Sequence, residues 1–280
     1  MKKLTQAIIL GALGLGAQHV HAATISKSLC VGSLSKTLYG TSTTGKSVTF
    51  WGYSDCGGGG MGGMGGGTAT VPGPIMEIGV NDTLNISFSP MGMMTMEGAP
   101  YNGHTIHLHG ADVQTMEDGV PETNGNMVMG DTYTWTPSAG HEGSYMYHCH
   151  VHTVKHLEMG MYSAIIVRPK NASGAFLNQL NANTTTAYDY SQNYILSTVD
   201  PAYHTASGDS VVVYIRDGRT LPTAKTVTSL DLSPGQRADL ITTLPTTSST
   251  WYPQITYKKL RANTDGTYPA YATVYGKVTF

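Results

Sequence analysis

The sequence has little charge. Charged residues are 12% of 280 and the formal net charge is -2. No basic run occurs, which excludes the electrostatic footprint of a nucleic-acid binder and leaves no electrostatic reason to sit on a membrane. Long amphipathic helical patterns are scarce, whereas Gly, Thr, Ser and Tyr abound, so an all-β fold is expected. No apolar run is long enough to span a bilayer. Cysteine is scarce as well: Cys30, Cys56 and Cys149 are the three.

The N-terminus supplies a context for those cysteines. Lys2 and Lys3 precede an apolar stretch, Ala7–Ala17, and Val20-His21-Ala22 reads as a small-residue cleavage site. This is the pattern of a secretory signal peptide over residues 1–22 and predicts a periplasmic or secreted protein. Cysteines in an oxidising compartment tend to pair. If Cys149 is used otherwise, Cys30 and Cys56 remain either to form a disulfide or to stay free and buried.

Histidine is abundant and concentrated. Eight of the 11 His fall between His104 and His156. Read as β-strands, His104-Thr105-Ile106-His107-Leu108-His109 and Tyr147-His148-Cys149-His150 send alternate side chains to opposite faces. Parity then sorts the residues into two sets. His104 and Cys149 make one; His107, His109, His148 and His150 make the other. The first, completed by a later His and a Met such as Met161, is the ligand set of a blue-copper electron-transfer centre. The second is all imidazole and suits copper that meets oxygen. His141, beside Glu142, reads as a solvated loop residue.

Strands are expected at Thr49–Tyr53, Ile75–Ile78, Thr83–Phe88, Thr132–Thr136, Ser144–His150 and Met161–Val167. Spaced by Gly, Pro and Asn turns, they predict a Greek-key β-sandwich over residues 23–168. Residues 169–190 read as a linker, and residues 191–280 as a second, smaller sandwich whose only His is His204. Its strands are expected at Tyr194–Val199, Val211–Ile215, Ser229–Leu232, Asp239–Thr243, Trp251–Tyr257 and Ala272–Phe280. The glycine tract Gly57–Gly67 carries Met61 and Met64, and Met91, Met93, Met94 and Met96 precede His104. Thioethers are soft ligands for Cu(I), although a glycine loop with incidental Met would look the same.

The chain resembles a multicopper oxidase built from cupredoxin-like domains. His104-x-x-His107-x-His109-Gly110, His148-Cys149-His150 and His156-Leu157-Glu158-Met159-Gly160-Met161 match that family's copper motifs. Val71-Pro72-Gly73-Pro74 and Asp118-Gly119-Val120-Pro121 match its N-terminal domain, and Leu230-Asp231-Leu232-Ser233-Pro234-Gly235-Gln236-Arg237 resembles a segment of its non-catalytic domains. The resemblance implies type 1 copper at His104, Cys149 and His156 with Met161 axial. It also implies type 2/type 3 copper at His107, His109, His148 and His150, with electrons passing from Cys149 through His148 and His150. A phenol or a reduced metal ion, Cu(I) included, would be the electron donor and molecular oxygen the acceptor.

Two features depart from the family. Five residues, Val151 to Lys155, separate the His-Cys-His triplet from His156, where the family usually places three. His156 keeps the usual spacing to Met161, while His152 is the competing ligand. The chain also supplies two His-x-His pairs, where a full cluster takes four. A homo-oligomer that pools this face would supply the rest. The alternatives are a non-enzymatic type 1 copper carrier and a nitrite reductase-like enzyme; His150 directly after Cys149 favours the oxidase triplet over the latter.

Overall fold

The computed structural model describes residues 21–38, 45–56, 68–89, 103–124, 132–197, 199, 250–251, 254–258, 270–275 and 277–279. The signal-peptide core, the glycine tract with Met61 and Met64, the Met91–Met96 group, His204 and residues 201–249 of the expected second sandwich lie outside the described residues.

Among the described residues, eight strands build the N-terminal body. They are β1 (Thr24–Leu38), β2 (Lys46–Asp55), β3 (Met76–Gly79), β4 (Thr83–Ser89), β5 (His107–His109), β6 (Thr132–Trp135), β7 (Gly143–His148) and β8 (Tyr162–Arg168). Two four-stranded sheets result, in the orders β2-β1-β4-β6 and β3-β8-β7-β5. Apart from the β1–β2 and β7–β8 pairs, strands adjacent in sequence are split between sheets, as in the expected cupredoxin-like Greek key. Period-two alternation decides which side of each strand is buried. On β8, Ser163, Ile165 and Val167 are buried between less buried neighbours. Leu29, Val31, Leu84, Ile86, Tyr133 and Trp135 face them from the other sheet in one core.

The structure differs from the sequence expectation in several places. The first strand is β1, not the segment around Thr49, and β1 pairs with β2 antiparallel and with β4 parallel. Its polar alternation of Ser, Lys and Thr hides it, because only Leu29 and Val31 are buried along its length. The strand expected at His104–His109 is hydrogen-bonded as strand only over His107–His109. Residues 191–197 form no strand. The stretch after β8 is held by asparagine turns: the Asn171 side chain accepts from the Ser173 and Ala175 N–H groups, and Asn183 caps a short turn at Thr184–Thr186.

Cys30 and Cys56 are disulfide-bonded, with Cα atoms 5.2 Å apart, closing the end of the β1–β2 ladder. Two short helices interrupt the body, α1 (Pro121–Asn124) and α2 (Thr153–Glu158). Near the C-terminus, β9 (Thr250–Trp251) pairs with β12 (Val278–Thr279), and β10 (Gln254–Lys258) pairs with β11 (Ala270–Tyr275). Among the described residues, no helix is long and apolar enough to cross a membrane.

Candidate metal centre

The antiparallel pairing of β5 with β7 sets His107 opposite His148 and His109 opposite Met146. That register puts the two strands' histidines on a common face, because directly opposed residues in an antiparallel ladder point the same way. Ring centroids of His107 lie 5.3 Å from His109, 5.0 Å from His148 and 5.1 Å from His150. Donor atoms of His107, His109 and His148 all lie within 4.8 Å of one another. His150 stands beside this group, its Nδ1 buried and without a hydrogen-bond partner.

Cys149 turns the other way. Its sulfur is fully buried, 3.0 Å from His156 Nδ1 and 3.9 Å from His104 Nδ1. The sulfur also receives the Thr105 main-chain N–H at 3.4 Å. His104, Cys149 and His156 form the second group whose donor atoms lie within 4.8 Å of one another. Met161, also fully buried, follows directly, and its carbonyl accepts the Cys149 N–H.

The choice between His152 and His156 has a geometric answer. The two extra residues of the loop are absorbed by α2, whose first residue follows His152 and whose only buried member is His156. His156 N–H bonds back to the His152 carbonyl, and Met161 N–H to the His156 carbonyl. His152 is exposed, in a left-handed conformation at φ 41°, with its ring 6.0 Å from that of His156. It lies outside the Cys149 group. The helix escapes a sequence reading because it is six residues long and lacks a capping side chain.

Several supporting residues also escape the sequence. Trp51 packs edge-on against His156 at 5.2 Å and His104 at 6.3 Å. Lys155 Nζ lies 5.5 Å from the centre of the Trp51 ring. Thr105 bridges the two sets: besides its N–H to the sulfur, its Oγ1 accepts the His150 N–H at 2.8 Å. The Thr105 carbonyl accepts the phenol of buried Tyr53 at 2.8 Å. A parity argument weighs side chains and misses these, because two of the three Thr105 contacts are main-chain.

Second partners fix the imidazole tautomers, as ligand histidines require. His148 Nδ1 donates to the Cys149 carbonyl at 2.9 Å, and His107 Nδ1 donates to the Asp118 carbonyl. Each then carries an unprotonated Nε2, and that of His148 faces His109 Nδ1 at 3.2 Å. Asp118 reaches His107 because Gly119 follows it: at φ +74°, a Cβ on Gly119 would stand 2.0 Å from the Ile106 carbonyl oxygen. The Asp118 side chain then accepts from Val120 N–H and Thr123 Oγ1, closing the turn into α1.

Electrostatics keep the imidazoles as lone-pair donors. Burial pushes His148 down to about 3. It lowers His104 to about 4 and His156 to about 2, the latter helped by the neighbouring His104. His107 is lowered for the same first reason. Burial raises the Cys149 thiol to about 11, against the pull of the Thr105 and Val151 hydrogen bonds. A thiolate formed here would have no cation beside it, because the flanking imidazoles are neutral. The donor set therefore fits a soft first-row cation, which takes the thiolate and shares its charge. With metal–nitrogen bonds of about 2 Å, donors around one ion stand up to about 4 Å apart, so both groups need only small shifts to close.

His141 is partly exposed, as the sequence reading expects, and makes contacts that the sequence does not show. Its Nε2 contacts Asp112 Oδ2 at 2.6 Å and its Nδ1 contacts Ser138 Oγ at 2.9 Å, while neighbouring Glu142 is buried and accepts the Gly140 N–H. These contacts brace the turn before β7 and are separate from either metal group.

Residues 59–172 match a family model described as multicopper oxidase. Among solved structures, the chain is similar to the blue copper oxidase from Nitrosomonas europaea, at 27% identity and TM-score 0.38, covering 53% of this chain and 40% of that one. It is similar to the copper nitrite reductase from the same organism, at 22% and 0.37, covering 53% and 43%. The multicopper oxidase from Campylobacter jejuni, described as a metallo-oxidase, matches at 23% and 0.39, covering 53% and 26%. The chain thus spans less than half the length of each. No curated protein matches.

Proposed function

We propose, from a chain that carries a multicopper oxidase domain over residues 59–172, that the protein is an exported copper-dependent oxidoreductase. It takes single electrons from a phenol or a reduced metal ion, Cu(I) among them, and delivers them to oxygen. One observation carries this reading. Cys149 belongs to the His104–His156 group, while its covalent neighbours His148 and His150 belong with His107 and His109. The residue nearest the electron entry is thus bonded through the main chain to donors of the other group.

Type 1 copper would be held by His104, Cys149, His156 and Met161; type 2/type 3 copper would be held by His107, His109, His148 and His150. Bound copper supplies one-electron redox chemistry at both places. The chain does the rest. Thr105 N–H supports negative charge on the Cys149 sulfur, and Trp51, Val151 and Met161 keep water from it. Asp118 and the Cys149 carbonyl hold His107 and His148 in the tautomers that free Nε2. His152, exposed beside α2, stands where a donor would approach His156.

Four histidines are half of the family's cluster. We place the missing donors on a second copy, with this face at or near a subunit contact, since a symmetric contact presents the same surface twice. The second reading, a type 1 copper carrier, draws on the same half-set. Copper stoichiometry with optical spectra separates the two. More than one copper per chain, with a near-ultraviolet band beside the blue one and oxygen uptake on phenol or Cu(I), supports the oxidase. One blue copper per chain without oxygen uptake establishes the carrier. Sedimentation of the copper-loaded protein tests the contact: a strict monomer with full oxygen reduction removes the pooled face.

A further inference from the structure

The start of β1 is anchored by groups remote in sequence from both metal sets. Asp82 and Lys170 form a buried ion pair, each side chain only 2% exposed. Asp82 Oδ2 accepts the Gly79 N–H at 2.9 Å. Its Oδ1 accepts Lys170 Nζ and also the main-chain N–H of Ala23, the latter at 2.7 Å. Lys170 Nζ reaches further, to the His21 carbonyl at 2.7 Å. On the other side, the Ala23 carbonyl accepts the Thr83 N–H at 2.8 Å, where β1 joins β4. Ala23 is therefore held at both its nitrogen and its oxygen, while His21 and Ala22 before it are exposed.

The sequence places a peptidase signal at the same point, since Val20-His21-Ala22 offers small residues at the usual positions before a scissile bond. We propose that the chain is processed between Ala22 and Ala23, and that the α-ammonium so formed on Ala23 is captured by the Asp82 carboxylate as its second cation. This rests on the export reading above. A leader peptidase adds water across the Ala22–Ala23 bond. Ala22 departs with the new carboxylate, and the Ala23 amine takes up a proton. The neutral N–H that donates to the Asp82 carboxylate becomes a charged donor at the same place, so that both partners of the bond are ionised. Lys170 gives up the His21 carbonyl and keeps Asp82. Ala23 is only partly buried, so water screens the two cations from each other. Maturation thus fastens the strand it exposes.

The test starts with the full chain made in an exporting host, followed by intact mass and N-terminal sequencing. A first residue of Ala23 is expected. An intact Met1 would overturn the export reading; a chain trimmed anywhere else would overturn only this inference. Capture is read by acylating the mature protein at neutral pH and locating the label by mass spectrometry. A carboxylate that raises the amine by about one unit slows labelling about tenfold against the free peptide Ala-Thr-Ile-Ser. Labelling at the peptide's rate overturns capture without any variant. Asp82→Asn should restore the peptide's rate, and Lys170→Gln, which leaves the ammonium as sole cation, should keep labelling slow.

Discussion

The two donor groups meet at the end of β7, where His148 closes the strand and Cys149 follows it, and they differ in almost everything else. The Cys149 group is closed: its three donors are buried, its sulfur has a main-chain donor, and Trp51 and Met161 wall it in. The face made by His107 and His109 is half-exposed, and only His148 within its donor group is buried. One site is completed by a single chain, whereas the other has its tautomers prepared and its donor count short. On the function proposed above, the contrast means that a fold can finish one donor group within a single chain while the other is left short of donors.

The sharpest break is Cys149→Ser. It should abolish the blue absorption and donor oxidation together, while His107→Ala should keep the blue band and lose oxygen reduction. Absorption spectra and oxygen uptake on both variants check this, and a blue Cys149→Ser protein would dissolve the distinction. Next in size, His156→Ala should lose the blue centre and His152→Ala should retain it.

Gly119→Ala tests the open face from behind. The added methyl would meet the Ile106 carbonyl at 2.0 Å and displace the Asp118 carbonyl from His107. Copper affinity at that face should fall about 10- to 100-fold, the usual cost of losing an outer partner, with the blue spectrum unchanged. Equilibrium dialysis against a copper chelator reads the loss.

Protons give a milder test. Cys149 sits near 11 and is protonated at neutral pH, so copper entering that group should release one proton and bind about tenfold tighter per pH unit. His148, lowered to about 3, is already neutral and should release none. The apo fold shows the other sign. Histidines whose folded values lie below 6.5 stabilise it fully above pH 6.5, and that contribution is lost as pH falls towards 4 for His104 and 3 for His148. Calorimetry with buffers of different ionisation heat measures the proton release, and Tm against pH measures the acid loss. The smallest effect is expected of Thr105→Val, which strips the His150 N–H of its acceptor and should cost about 1–3 kcal/mol.

Parity made both groups legible in the sequence, because β-strands alternate and each ligand set falls on one side. It worked even though the ladder ends at His148 and Cys149 already lies beyond it. What stayed hidden has physical reasons too. Strand β1 buries little apolar surface and therefore has a faint pattern. Helix α2 is too short for a periodicity, and Thr105 and Asp118 act largely through main-chain atoms that any residue possesses. His141 looked idle since its partner Asp112 is 29 residues away.

Helix α2 also bears on the order in which the closed site comes together. Cys149 and His156 are 7 residues apart, whereas His104 is 45 residues from Cys149. Chain-closure entropy rises with the logarithm of that separation, so bringing in His104 costs about 1.6 kcal/mol more than bringing in His156. The Cys149–His156 pair is therefore the local clasp that a folding chain should make first, with His104 the distant arm expected to arrive with the β5–β7 pairing. A cation met during folding would find two donors waiting before the third, and its arrival would favour the strand pairing that delivers the last.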